Sequence, residues 1–156
     1  VDRAGAADRW LAGAGGVGDA QLRGELVAAA LSVIEHGDFA ELFGPDALAE
    51  APIAAVVDGL VVSGTVDRLV VQPDLVRVVD FKTGRRAPAT LDAIPPYHLR
   101  QMAAYGAALR VIFPGRRVAA ALLYTAGPLL HALPDDLLAR HKPGYTPGQQ
   151  SLPLDA

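Results

Sequence analysis

The chain has no cysteine among its 156 residues. Disulfides, thiolate zinc sites, iron–sulfur clusters and cysteine nucleophiles are therefore excluded within it. Methionine is nearly absent as well. Met102 is the only one and the chain begins at Val1, so the sequence reads as a piece of a longer protein. No apolar run reaches the ~18 residues that a membrane helix needs, and the first residues do not read as a basic-then-apolar leader. The expectation is a cytoplasmic setting without membrane contact. A positive charge balance is also lacking. The formal net charge is −3, so any grip on a polyanion must come from a local basic patch or a bound metal. Charged residues make up 20% of the chain and apolar ones 51%. That balance supports a buried core and excludes wholesale disorder, and the length suits one domain.

What is present is a succession of helix and strand signals. Residues 1–19 are rich in Ala and Gly without sustained periodicity and read as a flexible segment. A helix is expected over about 20–36. Asp19 can cap it, Val27, Ala30, Leu31 and Ile34 form one stripe, and Gly37 ends it. Residues 38–49 read as a short helical turn and a loop. Strands are expected at 51–57, 60–71 and 75–82, joined by Asp58-Gly59, a strong hairpin signal, and by Gln72-Pro73-Asp74. A basic, Pro-containing loop over 84–96 leads to a second helix at 97–112. Strands at 117–125 and 128–132 and a short helix at 134–141 follow, and Pro and Gly then recur in an extended tail to residue 156. This order predicts an α/β fold: a mixed central sheet of four to five strands flanked by helices. The run GAGGVG (Gly13–Gly18) follows no strand and lacks a Lys-Ser/Thr pair, so no ATP site is expected.

Hairpin arithmetic brings the carboxylates together. With a loop of two or four residues at Pro73–Asp74, paired numbers sum to 147, and Asp67 faces Asp80 while Thr65 faces Lys82. Asp80 and Lys82, two apart on a strand, share a face, and Phe81 points the other way, opposite Val66. With a two-residue loop at Asp58-Gly59, the sum is 117 and Glu50 faces Asp67. Like charges directly opposed destabilise a sheet. A cation between them removes the penalty, and oxygen-only donors select Mg²⁺, Mn²⁺ or Ca²⁺ over zinc. Carboxylates, a divalent ion and a nearby lysine suit hydrolysis of a phosphodiester. On the second helix His98, Gln101 and Tyr105 share one side, where Gln and Tyr could meet phosphate or water and His98 reads as a surface residue. Arg85, Arg86 and Arg100 are candidates to hold a phosphate backbone. The face opposite the acids is expected to lie under the first helix, because Val66, Val79 and Phe81 need burial.

Three stretches in order carry a resemblance: GTVDR (Gly64–Arg68), VVDFKTG (Val78–Gly84) and LRQMAAY (Leu99–Tyr105). Together they resemble the RecB-like branch of the PD-(D/E)xK nucleases, with the nearest likeness to the C-terminal nuclease domain of AddA helicase-nuclease subunits. The likeness covers roughly residues 20–140. It implies a restriction-endonuclease-like core over 20–141, Mg²⁺ or Mn²⁺ as cofactor and DNA as substrate. It also implies helicase domains in the parent chain and an AddB-like second subunit as partners in double-strand break repair and recombination. By resemblance, Asp67, Asp80 and the Phe81 carbonyl hold metal, Lys82 is the catalytic lysine, and Gln101, Tyr105 and Glu50 are further motif positions. The family usually carries a metal-binding His on an upstream helix. His36 precedes Gly37 and reads as a capping residue instead, so the His-bearing segment is expected to lie upstream of Val1, and the fragment alone to bind metal weakly or be inactive. The alternative is a nuclease-like module that binds DNA or a subunit without cutting.

Overall fold

A computed structural model describes residues 2–84 and 86–142; Arg85 and residues 143–156, which hold the expected tail, lie outside the described residues. The chain runs through α1 (Arg3–Ala12), α2 (Ala20–Ile34), a 3₁₀ segment (Gly37–Phe43) and strands β1 (Ala47–Val57), β2 (Leu60–Val71) and β3 (Leu75–Lys82). A 3₁₀ turn (Leu91–Ala93), α3 (Pro96–Ile112), β4 (Arg117–Tyr124), β5 (Leu129–Leu133) and α4 (Asp135–Ala139) complete it. The five strands lie in sequence order in one sheet. Every neighbouring pair is antiparallel except β3 and β4, which are parallel, so α3 is the crossover between them. The expected mixed sheet flanked by helices is the observed one.

Both hairpin registers follow from their turns. Val57 pairs with Leu60 around Asp58-Gly59, and the β1–β2 pairs keep that register down to Ala47 and Val70. Asp58 and Gly59 both have positive φ, +50° and +81°, as a type I′ turn requires. At the second turn Val71 pairs with Val76, and the Gln72 N–H donates to Leu75 O at 2.8 Å.

The sheet is buried on two sides by different means. On one, Val66, Val76, Val78 and Leu122 pack under Met102, Tyr105 and Leu109 of α3. That helix is buried from Met102 to Leu109, consistent with its apolar character around most of its circumference. On the other, Val70, Val79 and Leu123 pack against Phe39 and Leu42 of the 3₁₀ segment and Val33 at the end of α2. The first long helix is thus not the main cover expected for that face. It ends at Ile34 with Glu35 as its C-cap, and His36 then caps the start of the 3₁₀ segment, its Nδ1 accepting from the Asp38 N–H at 3.3 Å and its ring stacking on Phe39. The 3₁₀ segment that follows does the covering. Val66 also departs from expectation: it belongs to the α3 side, while Val79 and Phe81 lie on the other.

The reason is a change of phase in the long hairpin. In β2, Val62 and Val66 face α3, and so does Leu69. In β1, Ile53 and Ala51 face α3 but Ala47 joins the opposite cluster. The two strands exchange faces together at Glu50 and Asp67, the one step missing from an otherwise continuous ladder. Glu50 has φ +47°, a left-handed conformation that side chains rarely adopt. Residues 1–19 also hold more structure than their composition suggests. Asp2 caps α1, accepting from the Gly5 N–H, and Asp8 pairs with Arg23 of α2 at 2.8 Å.

Gly59→Ala should lower the unfolding free energy by about 1 kcal/mol, because it forces a Cβ into a left-handed conformation. Urea denaturation would show a lower midpoint at an unchanged slope. Asp58→Asn, which suits the same turn, should leave the midpoint in place. An unmoved midpoint for Gly59→Ala would contradict the type I′ turn.

Candidate active site

Strand parity carries Asp80 into the core. Val76 and Val78 face α3 fully buried, and Asp80 is the next residue of that row, only 5% exposed. Among the described residues it is the buried charged residue. Burial pushes its carboxyl above the ordinary carboxylate range; Lys82 opposes that push and Asp67 adds to it. Lys82 Nζ lies 2.6 Å from Asp80 Oδ2. At that distance the contact is a charge-assisted hydrogen bond within an ion pair, and both the bond and the lysine charge favour the ionised carboxylate.

Lys82 also reaches α3. Its Nζ donates to Gln101 Oε1 at 2.8 Å, Gln101 Nε2 donates to Tyr105 Oη at 3.4 Å, and Tyr105 Oη donates to Thr65 O at 3.2 Å. Gln101 and Tyr105 are one helical turn apart, so the relay runs along one side of α3 and ends on β2. That side faces the acids rather than solvent.

Asp67 enters from β2 by replacing part of the ladder. The β2–β3 pairing stops at Arg68 and Val79, and at the next step Asp67 Oδ2 accepts the Phe81 N–H at 2.6 Å. The expected approach of Asp67 to Asp80 thus occurs in register, with the carboxylate on the Phe81 backbone. The Phe81 ring turns to the opposite face, toward Phe43, with the Arg68 guanidinium 5.0 Å from Phe43 and 5.9 Å from Phe81. Glu50 does not join the pair. It is exposed, and among the described residues no three His, Cys, Asp or Glu side chains form a metal-holding group.

An open cleft of about 590 Å³ starts at Lys82 and is bounded by Arg86, Pro88, Tyr97, His98 and Tyr124. Arg86 therefore stands beside the lysine, Arg100 is exposed outside this lining, and Arg85 lies outside the described residues. His98 is not an ordinary surface histidine. Its Nδ1 lies 3.2 Å from Tyr124 Oη, and burial, aided by the Lys82 charge, lowers its pKa to about 4. Tyr124 is raised by its own burial, with Tyr97 and Asp80 contributing. His98 shares a helix side with Gln101 and Tyr105, which could have marked it from spacing. Tyr124 sits in an apolar run, and only its pairing with Lys82 in the parallel β3–β4 ladder brings it here.

The donors fit a hard cation. A buried carboxylate, a second carboxylate and a main-chain carbonyl are all oxygen ligands. Two carboxylates with remaining positions left to water and phosphate are the usual protein share for Mg²⁺.

The sequence model of the PD-(D/E)XK nuclease superfamily matches residues 6–142. The chain belongs to the PD-(D/E)XK nuclease superfamily. Among solved structures it is similar to a provisionally assigned exonuclease from Eubacterium rectale, with a TM-score of 0.56 and 12% identity over 77% of this chain and 48% of that one. The chain thus spans about half the length of that protein, and at this identity the likeness is one of fold. The structure of SSO0001 aligns over 89% of this chain and 68% of its own at 20% identity, with a TM-score of 0.39. No curated protein matches the sequence. Proteins of this superfamily are usually nucleases that use divalent metals, and the oxygen donors around Asp80 are in keeping with that habit.

His98 should titrate near 4 rather than at its ordinary 6.5 when followed by imidazole NMR. Lys82→Met should move it upward, because one of the two depressing causes is removed. Its folded value lies below its unfolded one, so its contribution to stability is intact above pH 6.5 and falls as the pH drops toward 4. A His98 titrating near 6.5 would contradict the Tyr124-backed environment.

Proposed function

We propose that this chain is the divalent-metal-dependent DNA nuclease domain of a helicase-nuclease that acts in double-strand break repair and recombination. The observation that carries the nuclease part is the Asp80–Lys82–Gln101–Tyr105 chain of contacts beside an open cleft, with Asp67 on the adjoining strand. The order of GTVDR, VVDFKTG and LRQMAAY, which resembles the RecB-like nucleases, supports the finer assignment. On this reading the partners are DNA, helicase domains of the parent chain and an AddB-like subunit, in the cytoplasm.

Asp67, Asp80 and the Phe81 carbonyl would hold Mg²⁺ or Mn²⁺. When bound, the ion supplies Lewis acidity and charge neutralisation at the scissile phosphate. The residues themselves have separable tasks. Asp67 fixes the Phe81 main chain through its N–H, and so fixes the carbonyl next to it. Gln101 and Asp80 each engage one proton of Lys82, leaving the third for the negative charge that grows on the phosphoryl oxygens. Tyr105 orients Gln101 and is itself tied to Thr65 O. Arg86 at the cleft adds a cation for the flanking backbone.

One observation favours a second reading. Lys82 already neutralises Asp80, as it would in a DNA- or subunit-binding module that does not cut. The place of Lys82 argues for the catalytic reading, because it lines the open cleft together with Arg86, where a phosphate can reach it.

DNA cleavage with Mg²⁺, measured on the chain extended by its upstream segment, separates the two. Lys82→Ala should slow cleavage by on the order of 10²–10³ while leaving DNA affinity nearly unchanged. Asp80→Ala should also stop cleavage, through lost metal binding, so a little activity should return with excess Mn²⁺. Wild-type cleavage by Lys82→Ala would remove the lysine from the mechanism. Proportional loss of binding and cleavage would support the binding module.

A further inference from the structure

The cleft beside Lys82 has features that phosphate chemistry does not require. Tyr97 is 55% exposed at its lip. It occupies the second position of α3, directly after Pro96, where the fixed proline ring and the helix start limit backbone movement. Its ring is held edge-on against His98, with centroids 4.2 Å apart and planes at 65°. His98 is held in turn by Tyr124, at 3.2 Å from Nδ1 to Oη, and Tyr124 packs edge-on to His131. His131 Nε2 contacts Pro88 O at 2.8 Å, which ties the opposite wall of the cleft to the same row of rings. An exposed aromatic ring is thus braced by three further rings and backed by a main-chain contact.

The surroundings define what the ring can receive. Arg86 and Lys82 supply positive charge on the same cleft, and Pro88 and Tyr124 supply apolar wall. Its volume of about 590 Å³ falls within the ~300–1,000 Å³ range of small-ligand sites. A cationic wall, an apolar wall and an exposed ring match the three parts of a nucleotide: phosphate, sugar and base. A base still stacked in a duplex cannot present its face to such a ring.

We propose that Tyr97 is a base-stacking platform that receives an unpaired base of the nucleotide next to the scissile phosphate, with Arg86 on its phosphate. This rests on the reading of the chain as a DNA nuclease and adds a binding subsite to it. The neutral His98 fits the arrangement, since an imidazolium there would add repulsion against Lys82 and Arg86. Stacking on a single aromatic ring is sequence-tolerant, because every base has a π-face. The subsite therefore selects for an exposed base and not for its identity.

The test uses the 156-residue chain without added metal, so that nothing is cut. The probes are a short single-stranded oligodeoxynucleotide carrying 2-aminopurine and the same oligomer with abasic sites. Wild type should quench 2-aminopurine and bind the base-bearing oligomer roughly 10-fold more tightly than the abasic one. Tyr97→Ala should lose the quenching and that preference together, and Tyr97→Phe should keep both. Arg86→Ala should weaken both oligomers to a similar degree. Equal affinity for the two oligomers in wild type, or quenching that survives Tyr97→Ala, would overturn the proposal. Metal-dependent cleavage by the upstream-extended chain separates this failure from the broader one. Cleavage without any dependence on Tyr97 would remove the platform alone, whereas neither binding nor cleavage of DNA would remove the nuclease reading with it.

Discussion

Asp80 has to be in the core, and most of the site follows from that. β3 pairs with β4 without a break from Leu75 to Lys82, so its side chains alternate and a residue two positions after Val78 shares its face. That face is sealed by α3, where Met102 and Leu109 leave no solvent. A carboxylate there loses its hydration and gains stability only from fixed partners. Lys82, again two residues on, is the partner that the same parity delivers. Gln101, Tyr105 and the Thr65 carbonyl then fix the lysine. The chain of contacts is therefore a consequence of one buried charge, and it spans β3, α3 and β2 because those are the elements that bury it.

The second constraint is geometric. The long β1–β2 hairpin contributes to both apolar clusters, and it changes phase between them at Glu50 and Asp67. Beyond it, toward the turn, Ile53 and Val62 continue the α3 core; before it, Ala47 and Val70 join the 3₁₀ segment. The left-handed φ of Glu50 is a local cost, and functional sites are where such costs tend to persist. The step is also where Asp67 leaves the ladder to take the Phe81 N–H. The bend thus frees a strand residue to act as a carboxylate. In an unbent hairpin the same residue would be one more member of a regular sheet.

Much of this could be read from the residues. Asp58-Gly59 and Pro73-Asp74 set two registers because turn chemistry limits loop length, and the pairings follow by subtraction. The side-sharing of Asp80 with Lys82, and of Gln101 with Tyr105, follows from the two periods alone. What could not be read depends on tertiary context. Val66 changes sides because of a bend that simple alternation does not encode. Phe39 and Leu42 cover the sheet from a 3₁₀ segment too short for a periodic signal. The Ala- and Gly-rich start forms α1 because Asp2 caps it and Arg23 of α2 reaches Asp8, contacts that local composition does not show. Tyr124 reaches the site only because β4 lies parallel to β3, a pairing that skips the whole of α3.

The two faces of β3 divide the work, and Phe81 joins them. On the α3 side stand Asp80 and Lys82, the groups with chemistry. On the other, the Phe81 ring packs near Phe43 with the Arg68 guanidinium beside both rings. The guanidinium of half-buried Arg68 lies close enough to both rings for a cation–π contact. The ring contacts hold the side chain of Phe81 from below while Asp67 holds its N–H from the neighbouring strand. A main chain gripped at both points has little freedom left, and its carbonyl lies between the two residues whose spacing matters most. Packing on the face away from the cleft is thereby part of the geometry within it. The GTVDR stretch supplies both restraints from consecutive residues, Asp67 to the N–H and Arg68 to the ring, because alternation sends neighbours in a strand to opposite sides of the same sheet.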